Sequence, residues 1–268
     1  MYANIRGIKS KITSLSEILE ENNPHLFLIT ETLLRSNTGI HVKNYTFYGR
    51  KRDGKLGGGV GILVRNDLRL NTAPHTSERD IEIMWVSVRR KRMPPLLVGI
   101  YYGKQESRVS KNEIENEMQL LNEEIEEMKK DGNIIIAMDA NAKIGLLGED
   151  ISRNGHLLLK TFENTGLNVM NNDSKCKGRV TRKNTKNDNE TSAIDFIVTD
   201  GTVEQWVKEI EIDEGLNKIK GKNDSDHNTI TVTLQIENID RTKVTKRTIW
   251  NTRASSEKWQ AFSDGLKK

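Results

Sequence analysis

The sequence predicts an α/β protein built as two packed β-sheets flanked by helices. Three observations carry that prediction. Seven short apolar runs bounded by turn residues read as strands, and only two segments show helical periodicity over a useful length. Several strands also follow one another with no helix between them, which disfavours a purely parallel, doubly wound sheet. A chain of 268 residues fits one large domain or two small ones. At that size folding hides roughly 70% of the unfolded surface, enough for a sizeable core.

Taken in order, the spacing of Ile12, Leu15, Ile18 and Leu19 predicts a helix over Ser10 to Asn23, stopped by Pro24. Strands are expected at Leu26–Thr30, Val60–Val64, Ile81–Val88 and Leu96–Tyr101. A second helix spans Lys111 to Lys130, with Ile114, Met118, Leu121, Ile125 and Met128 on one face. Further strands follow at Ile134–Met138, Ile194–Val198 and Ile230–Ile236, the last a clean apolar/polar alternation for a sheet covered on one side.

Composition removes several function classes. No run approaches the ~18 apolar residues of a membrane span, and Met1 to Lys11 lacks the apolar stretch of a signal peptide. A single Cys176 excludes a disulfide framework and a cysteine-rich zinc module. With a mean hydropathy of −0.64, the chain reads as soluble and intracellular. The net charge of +4 is concentrated after residue 236, where eight Lys/Arg face four acids. Basic clusters at Arg50–Lys55, Arg89–Arg92, Lys175–Lys186 and Lys218–Lys222 stand against the acidic run Glu113 to Glu127, a polarity suited to a polyanion.

Motif by motif, the usual phosphate and hydrolase signatures are missing. Gly57-Gly58-Gly59-Val60-Gly61 runs into a strand rather than opening a helix, so it reads as a hairpin approach and not a phosphate cradle. What remains is a set of polar residues at strand ends. Leu26–Thr30 runs into Glu31, Ile134–Met138 into Asp139-Ala140-Asn141, and Asp195 sits inside an apolar strand. Asp224-Ser225-Asp226-His227 precedes the final strand. A carboxylate at the end of a buried strand loses solvation and needs a cation, an imidazole or hydrogen-bond donors. Such a set predicts that the strand ends converge on one polar pocket.

The ordered texts Asn4-Ile5-Arg6-Gly7, Ile29-Thr30-Glu31-Thr32, Met138-Asp139-Ala140-Asn141, Ala193-Ile194-Asp195-Phe196 and Ser225-Asp226-His227-Asn228, with Tyr101 between, resemble the endonuclease/exonuclease/phosphatase superfamily. Within it the chain looks most like the apurinic-type endonuclease domain of non-LTR retrotransposons. That resemblance implies a DNase-I-like four-layered sandwich over residues 1–236, with a truncated first strand because only Met1 to Ala3 precede Asn4. Residues 237–268 resemble the basic connector toward a reverse transcriptase.

The resemblance further implies Mg²⁺, or Mn²⁺ in its place, held by Glu31 with Asn4 and Asp226 nearby. Asp139 and Asn141 would handle the attacking water and the phosphate. His227 would contact the phosphate or move a proton, its tautomer fixed by Asp195, and Tyr101 would bond the phosphate region. Thr181, Ser225, Arg50 and Arg182 are expected to touch substrate. The implied partners are DNA and, in a full-length relative, element RNA or reverse transcriptase, with action in the nucleus. Two other readings stay open: another phosphoesterase of this fold, such as an abasic-site nuclease or a phosphatase, and an inactive DNA-binding or interaction module.

Overall fold

The computed structural model describes residues 1–35, 40–52, 57–68, 72–184, 190–215 and 224–236. One sheet has seven strands: β1 (Tyr2–Asn4), β2 (Leu26–Thr30), β3 (Tyr45–Arg50), β4 (Val60–Arg65), β10 (Cys176–Lys177), β14 (Val207–Ile212) and β15 (Ile230–Leu234), in the order β10-β14-β15-β1-β2-β4-β3. The other has six: β5 (Thr72–Thr76), β6 (Glu82–Arg90), β7 (Met93–Tyr102), β8 (Asn133–Asp139), β9 (Asn168–Val169) and β13 (Asp195–Thr199), in the order β5-β6-β7-β8-β13-β9. A small ribbon pairs β11 (Arg182–Lys183) with β12 (Thr191–Ser192).

Strand alternation sorts the apolar side chains into layers. Along β7, Leu96, Val98, Ile100 and Tyr102 face the seven-stranded sheet, where Val60, Ile62, Val64 and Ile210 meet them. Leu97 and Tyr101 point the other way, into a core capped by α2 (Lys111–Asp131) and α3 (Arg153–Thr165). On the far side of the seven-stranded sheet, Ile5, Phe27, Ile29 and Leu63 pack with Leu15, Ile18 and Leu19 of α1 (Ile12–Asn22). Helix, sheet, sheet and helices make the expected four-layered sandwich. Each fully buried aliphatic side chain in these layers is worth roughly 1.5–3 kcal/mol.

β1 is only three residues long, yet it sits in the middle of its sheet. It pairs in parallel with β2, Asn4 beside Thr30, and antiparallel with β15, Tyr2 beside Ile230. The position of Asn4 is therefore set from both sides.

All seven expected strands are present, with ends shifted by one to three residues at most. The periodicity did not announce α3, whose buried positions include Asn154, Gly155, Thr161 and Thr165 rather than a clean apolar stripe. Gly155 is required there by close approach, since a Cβ would lie 1.9 Å from the Lys143 carbonyl oxygen. Ser152 caps the helix by accepting from the Gly155 N–H, and Gly166 ends it in a left-handed turn. The Gly57–Gly59 stretch leads into β4 as a strand approach, its carbonyls at Gly58 and Gly59 accepting from Leu33 and Thr32.

Candidate active site

Register brings the polar residues together. In the six-stranded sheet Tyr102 of β7 lies beside Asp139 of β8, and Asp139 lies beside Asp195 of β13. These three form one row at the end of the sheet. The facing sheet contributes Asn4 and Thr30, themselves neighbours. Hydrogen bonds close the gap between sheets. Asn4 Nδ2 donates to Asp139 Oδ2 at 2.8 Å, and the Tyr2 hydroxyl donates to Asp195 Oδ1.

His227 enters from the segment before β15. Its Nδ1 lies 2.8 Å from Asp195 Oδ2 and 3.0 Å from Oδ1. A carboxylate acceptor makes Nδ1 the donor, which leaves Nε2 facing Asp139 Oδ2 at 3.9 Å. The Ser225 hydroxyl fixes this turn, donating to the Asn4 carbonyl at 2.6 Å and accepting from the His227 N–H. Thr181 Oγ1 performs the same service for β13, accepting from the N–H groups of Ile194 and Asp195.

Burial makes the charges in this row costly. Asp139 and Asp195 are both fully buried. Burial and then the neighbouring Asp195 push the Asp139 carboxyl up to about 7, with His227 and Asn4 pulling the other way. Burial alone would favour neutral imidazole at His227, but Asp195 and Asp139 outweigh it and raise the pKa to about 9. The row thus holds an imidazolium bound to one carboxylate and close to a second that is short of positive charge.

Two more residues complete the pocket. Glu31 follows β2 with φ of 53°, and its Oε1 accepts from the Tyr102 hydroxyl at 2.9 Å. Asn141 has φ of 48°; its N–H donates to Asp139 Oδ1 and its Nδ2 to the Gly103 carbonyl. Arg6, with φ of 46°, is the third non-glycine residue in left-handed backbone here. Such strain persists only where surrounding contacts enforce it, and it gathers at functional sites.

The donor set fits a hard divalent cation. Ligand atoms of Asp139, Asp195 and His227 lie within 4.8 Å of one another. Asp195 is engaged by His227 and Tyr2, and a hard cation such as Mg²⁺ favours oxygen over the remaining imidazole nitrogen. The oxygens suited to Mg²⁺ are therefore those of Asp139 and Glu31, with the Asn4 amide beside them, leaving the rest of the shell to water and a phosphate.

Several expectations change. Tyr101 does not reach the pocket: strand parity turns it into the helix-side core beside Glu117 of α2, and Tyr102 stands where it was expected. Asp226 has both oxygens facing arginines, Arg6 Nη1 at 3.2 Å and Arg182 Nε at 2.9 Å, rather than an open coordination position. Thr181 and Ser225 are buried supports and not surface contacts. Arg50 turns inward to the Ile83 and Arg79 carbonyls, so its guanidinium ties the sheets together instead of meeting a substrate. Lys55, Lys218–Lys222 and the segment 237–268 lie outside the described residues.

Sequence reasoning missed Tyr2 and also Asn171, whose amide donates to the Asp195 carbonyl, and weighed Tyr102 only as a neighbour easily confused with Tyr101. No local pattern marks Tyr2 or Asn171. For Tyr102 the signal was present: Leu96, Val98 and Ile100 share its parity in β7.

Similarity to known proteins decides the family. The model of the endonuclease-reverse transcriptase family matches residues 96–231, a stretch containing Asp139, Asn141, Asp195 and His227. The chain belongs to the endonuclease-reverse transcriptase family. Asn4 and Glu31 lie ahead of the matched stretch and reach the same pocket through β1 and β2.

Solved structures agree on the fold of this family member. The endonuclease domain of TRAS1, a telomere-specific non-LTR retrotransposon, superposes with a TM-score of 0.66 at 18% identity, covering 88% of this chain and 97% of that one. The 3′-5′ exonuclease NExo of Neisseria meningitidis gives 0.70 at 14%, covering 88% and 98%. The AP endonuclease LMAP of Leishmania major gives 0.69 at 12%, covering 88% and 86%. No curated protein matches the chain by sequence. Family and fold together make this a nuclease or phosphoesterase of DNase-I-like architecture. Among the described residues, no helix is long and apolar enough to cross a membrane.

Proposed function

We propose that this chain is a divalent-cation-dependent phosphodiester hydrolase that nicks DNA, acting as the target-site endonuclease of a non-LTR retrotransposon. The observation that carries the reading is the Asp195–His227 pair facing Asp139, which is held in turn by Asn4. Phosphodiester cleavage needs a base for water, a donor for the phosphate oxygens and a charge sink for the leaving oxygen.

Asp139, aimed by the Asn4 amide and the Asn141 N–H, is placed to take the proton of the attacking water. Asn141, braced by Gly103 and Asn154, orients that water or a phosphate oxygen. Imidazolium His227 donates from Nε2 to a non-bridging oxygen, while Asp195 holds the ring and the charge. Glu31, fixed by Tyr102, and Asp139 would hold Mg²⁺ or Mn²⁺ beside Asn4. When bound, the cation would neutralise charge on the phosphate and the departing oxygen.

Residues 1–236 would form the catalytic domain, with 237–268 a basic connector toward a reverse transcriptase. Element RNA or that enzyme would be the partner in a full-length relative, and the nucleus the place of action. Supercoiled plasmid supplies the test. Wild type with Mg²⁺ is expected to convert it to open circles, chelator to stop this, and Asp139→Ala or His227→Ala to reduce it by about 10³-fold, within the usual range for acid–base residues. Nicking that survives both substitutions would defeat the mechanism, and retention of DNA without nicking would point to a binding module.

A further inference from the structure

Beside the catalytic row the pocket has a second, basic pole. Asp226 is buried, with its side chain 5% exposed, yet the two arginines that flank it are 40% (Arg6) and 36% (Arg182) exposed. Arg6 Nη1 and His227 Nε2 approach the same oxygen, Asp226 Oδ1, at 3.2 and 3.8 Å. Arg182 Nε donates to the other oxygen, Oδ2, at 2.9 Å. Two guanidinium groups flank one buried carboxylate, and both stay more than a third exposed. An ion pair serving stability would need only one arginine, and at this exposure would be worth little.

Both arginines are also aimed by the backbone. Arg182 belongs to the β11–β12 ribbon and bridges to His227, while the Lys183 N–H donates to the Asp226 carbonyl at 2.8 Å. Arg6 adopts left-handed φ of 46°, a conformation that costs free energy in a long side chain. The buried Lys11 ammonium holds this turn by donating to the carbonyls of Ile5 and Arg6. The Arg6 N–H donates to Asn4 Oδ1, so the same amide that bonds Asp139 also fixes the turn presenting Arg6.

A guanidinium offers five N–H donors in a planar fork that matches phosphate oxygens. Asp226 accepts one from Arg182 Nε and pairs with Arg6 Nη1 at 3.2 Å. We propose that Arg6 and Arg182, set in place by Asp226, form a clamp for a DNA backbone phosphate next to the one cleaved. Asp226 is then a positioning residue and not a cation ligand. The acidic side of the pocket, Glu31 and Asp139, takes the cation, and the basic side takes the neighbouring phosphate. This deepens the endonuclease reading above and rests on it for the identity of the polyanion.

The test separates the two. Binding of a short DNA duplex is measured across salt concentrations with chelator present, so that no hydrolysis is needed. Arg6→Ala and Arg182→Ala are each expected to lower the slope of log K against log salt by about 1, the effect of one lost phosphate contact. Arg6→Lys should keep the slope and yet raise KM for nicking, since the fork is lost and the charge kept. Asp226→Asn should keep the slope, raise KM, and leave unchanged the Mg²⁺ concentration giving half-maximal nicking. Unchanged slopes in both alanine variants would overturn the clamp, as would an increased Mg²⁺ requirement for Asp226→Asn. Altered slopes in a protein that never nicks would leave the clamp standing and sink the endonuclease reading alone.

Discussion

Two buried acid clusters in this molecule satisfy their carboxylates in different ways. On the helix side, Glu124 of α2 accepts from Trp85 Nε1 at 2.9 Å, Ser77 Oγ at 2.6 Å and Arg79 Nη1 at 2.7 Å. Both its oxygens are met, one of them by a full positive charge. At the pocket, Asp139 receives only the neutral Asn4 amide and the Asn141 N–H, and shares a single imidazole with Asp195. In the first, Glu124 is fully hydrogen-bonded, and Arg79 holds α2 through both Glu124 and Glu127. The second is one cation short, and that deficit marks it as a place where a ligand completes the charge.

Substitution should separate the clusters most sharply. His227→Ala or Asp139→Ala is expected to lower nicking by about 10³-fold with a cooperative melt retained. Glu124→Ala should do the reverse, leaving the buried Trp85 Nε1 and Ser77 Oγ without their acceptor while Arg79 keeps Glu127, destabilising by roughly 1–3 kcal/mol for each stranded donor and sparing the rate per folded molecule. Denaturant titration beside plasmid nicking checks both. Equal losses of activity in the two clusters would break the distinction.

The charge deficit also predicts a pH dependence of stability without divalent cation. Asp139 is raised from 3.8 to about 7, so the folded state holds its proton more tightly than the unfolded chain. Stability should therefore fall as pH climbs between those values. His227 is raised from 6.5 to about 9; its contribution is complete below 6.5 and is lost as pH rises through 9. Melting followed from pH 4 to 9 should show this decline, with Asp139→Asn flattening its lower part. A melting temperature rising across pH 4 to 7 would count against it.

A similar decline belongs to Glu117, buried on α2 and pushed up to about 7 by burial, against the Lys104 charge and N–H that favour its ionised form. Glu117→Gln should stabilise the protein above pH 7 by roughly 1–3 kcal/mol and leave nicking within twofold.

The smallest contrast is between adjacent tyrosines. Tyr102→Phe removes the hydroxyl that holds Glu31 and should cost about tenfold in nicking, or ~1.4 kcal/mol of transition-state stabilisation. Tyr101→Phe should change it less than twofold. A larger loss at Tyr101 would restore the original assignment.

These tyrosines show where sequence reading succeeds and where it stops. Strands were legible because apolar runs end at turn residues, and Asp139, Asn141, Asp195 and His227 were legible because polar residues stand at or next to the ends of such runs. Which neighbour in a strand faces the pocket depends on parity relative to the buried sheet, and Tyr101 was chosen over Tyr102 without it. Tyr2 to Asp195 and Arg6 to Asp226 are contacts across about two hundred residues, which no local pattern encodes. The inward turn of Arg50 was equally hidden, because an arginine in a basic cluster looks the same whether it meets solvent or carbonyls.

The claim on which the rest depends is that Glu31 and Asp139 hold a divalent cation. Calorimetric titration of the metal-free protein with Mn²⁺ tests it with no DNA present. One ion per chain is expected, weakened at least tenfold by Glu31→Gln and by Asp139→Asn and unaffected by Asp226→Asn. Binding that persists unchanged without both carboxylates, or that disappears with Asp226 alone, would contradict the account.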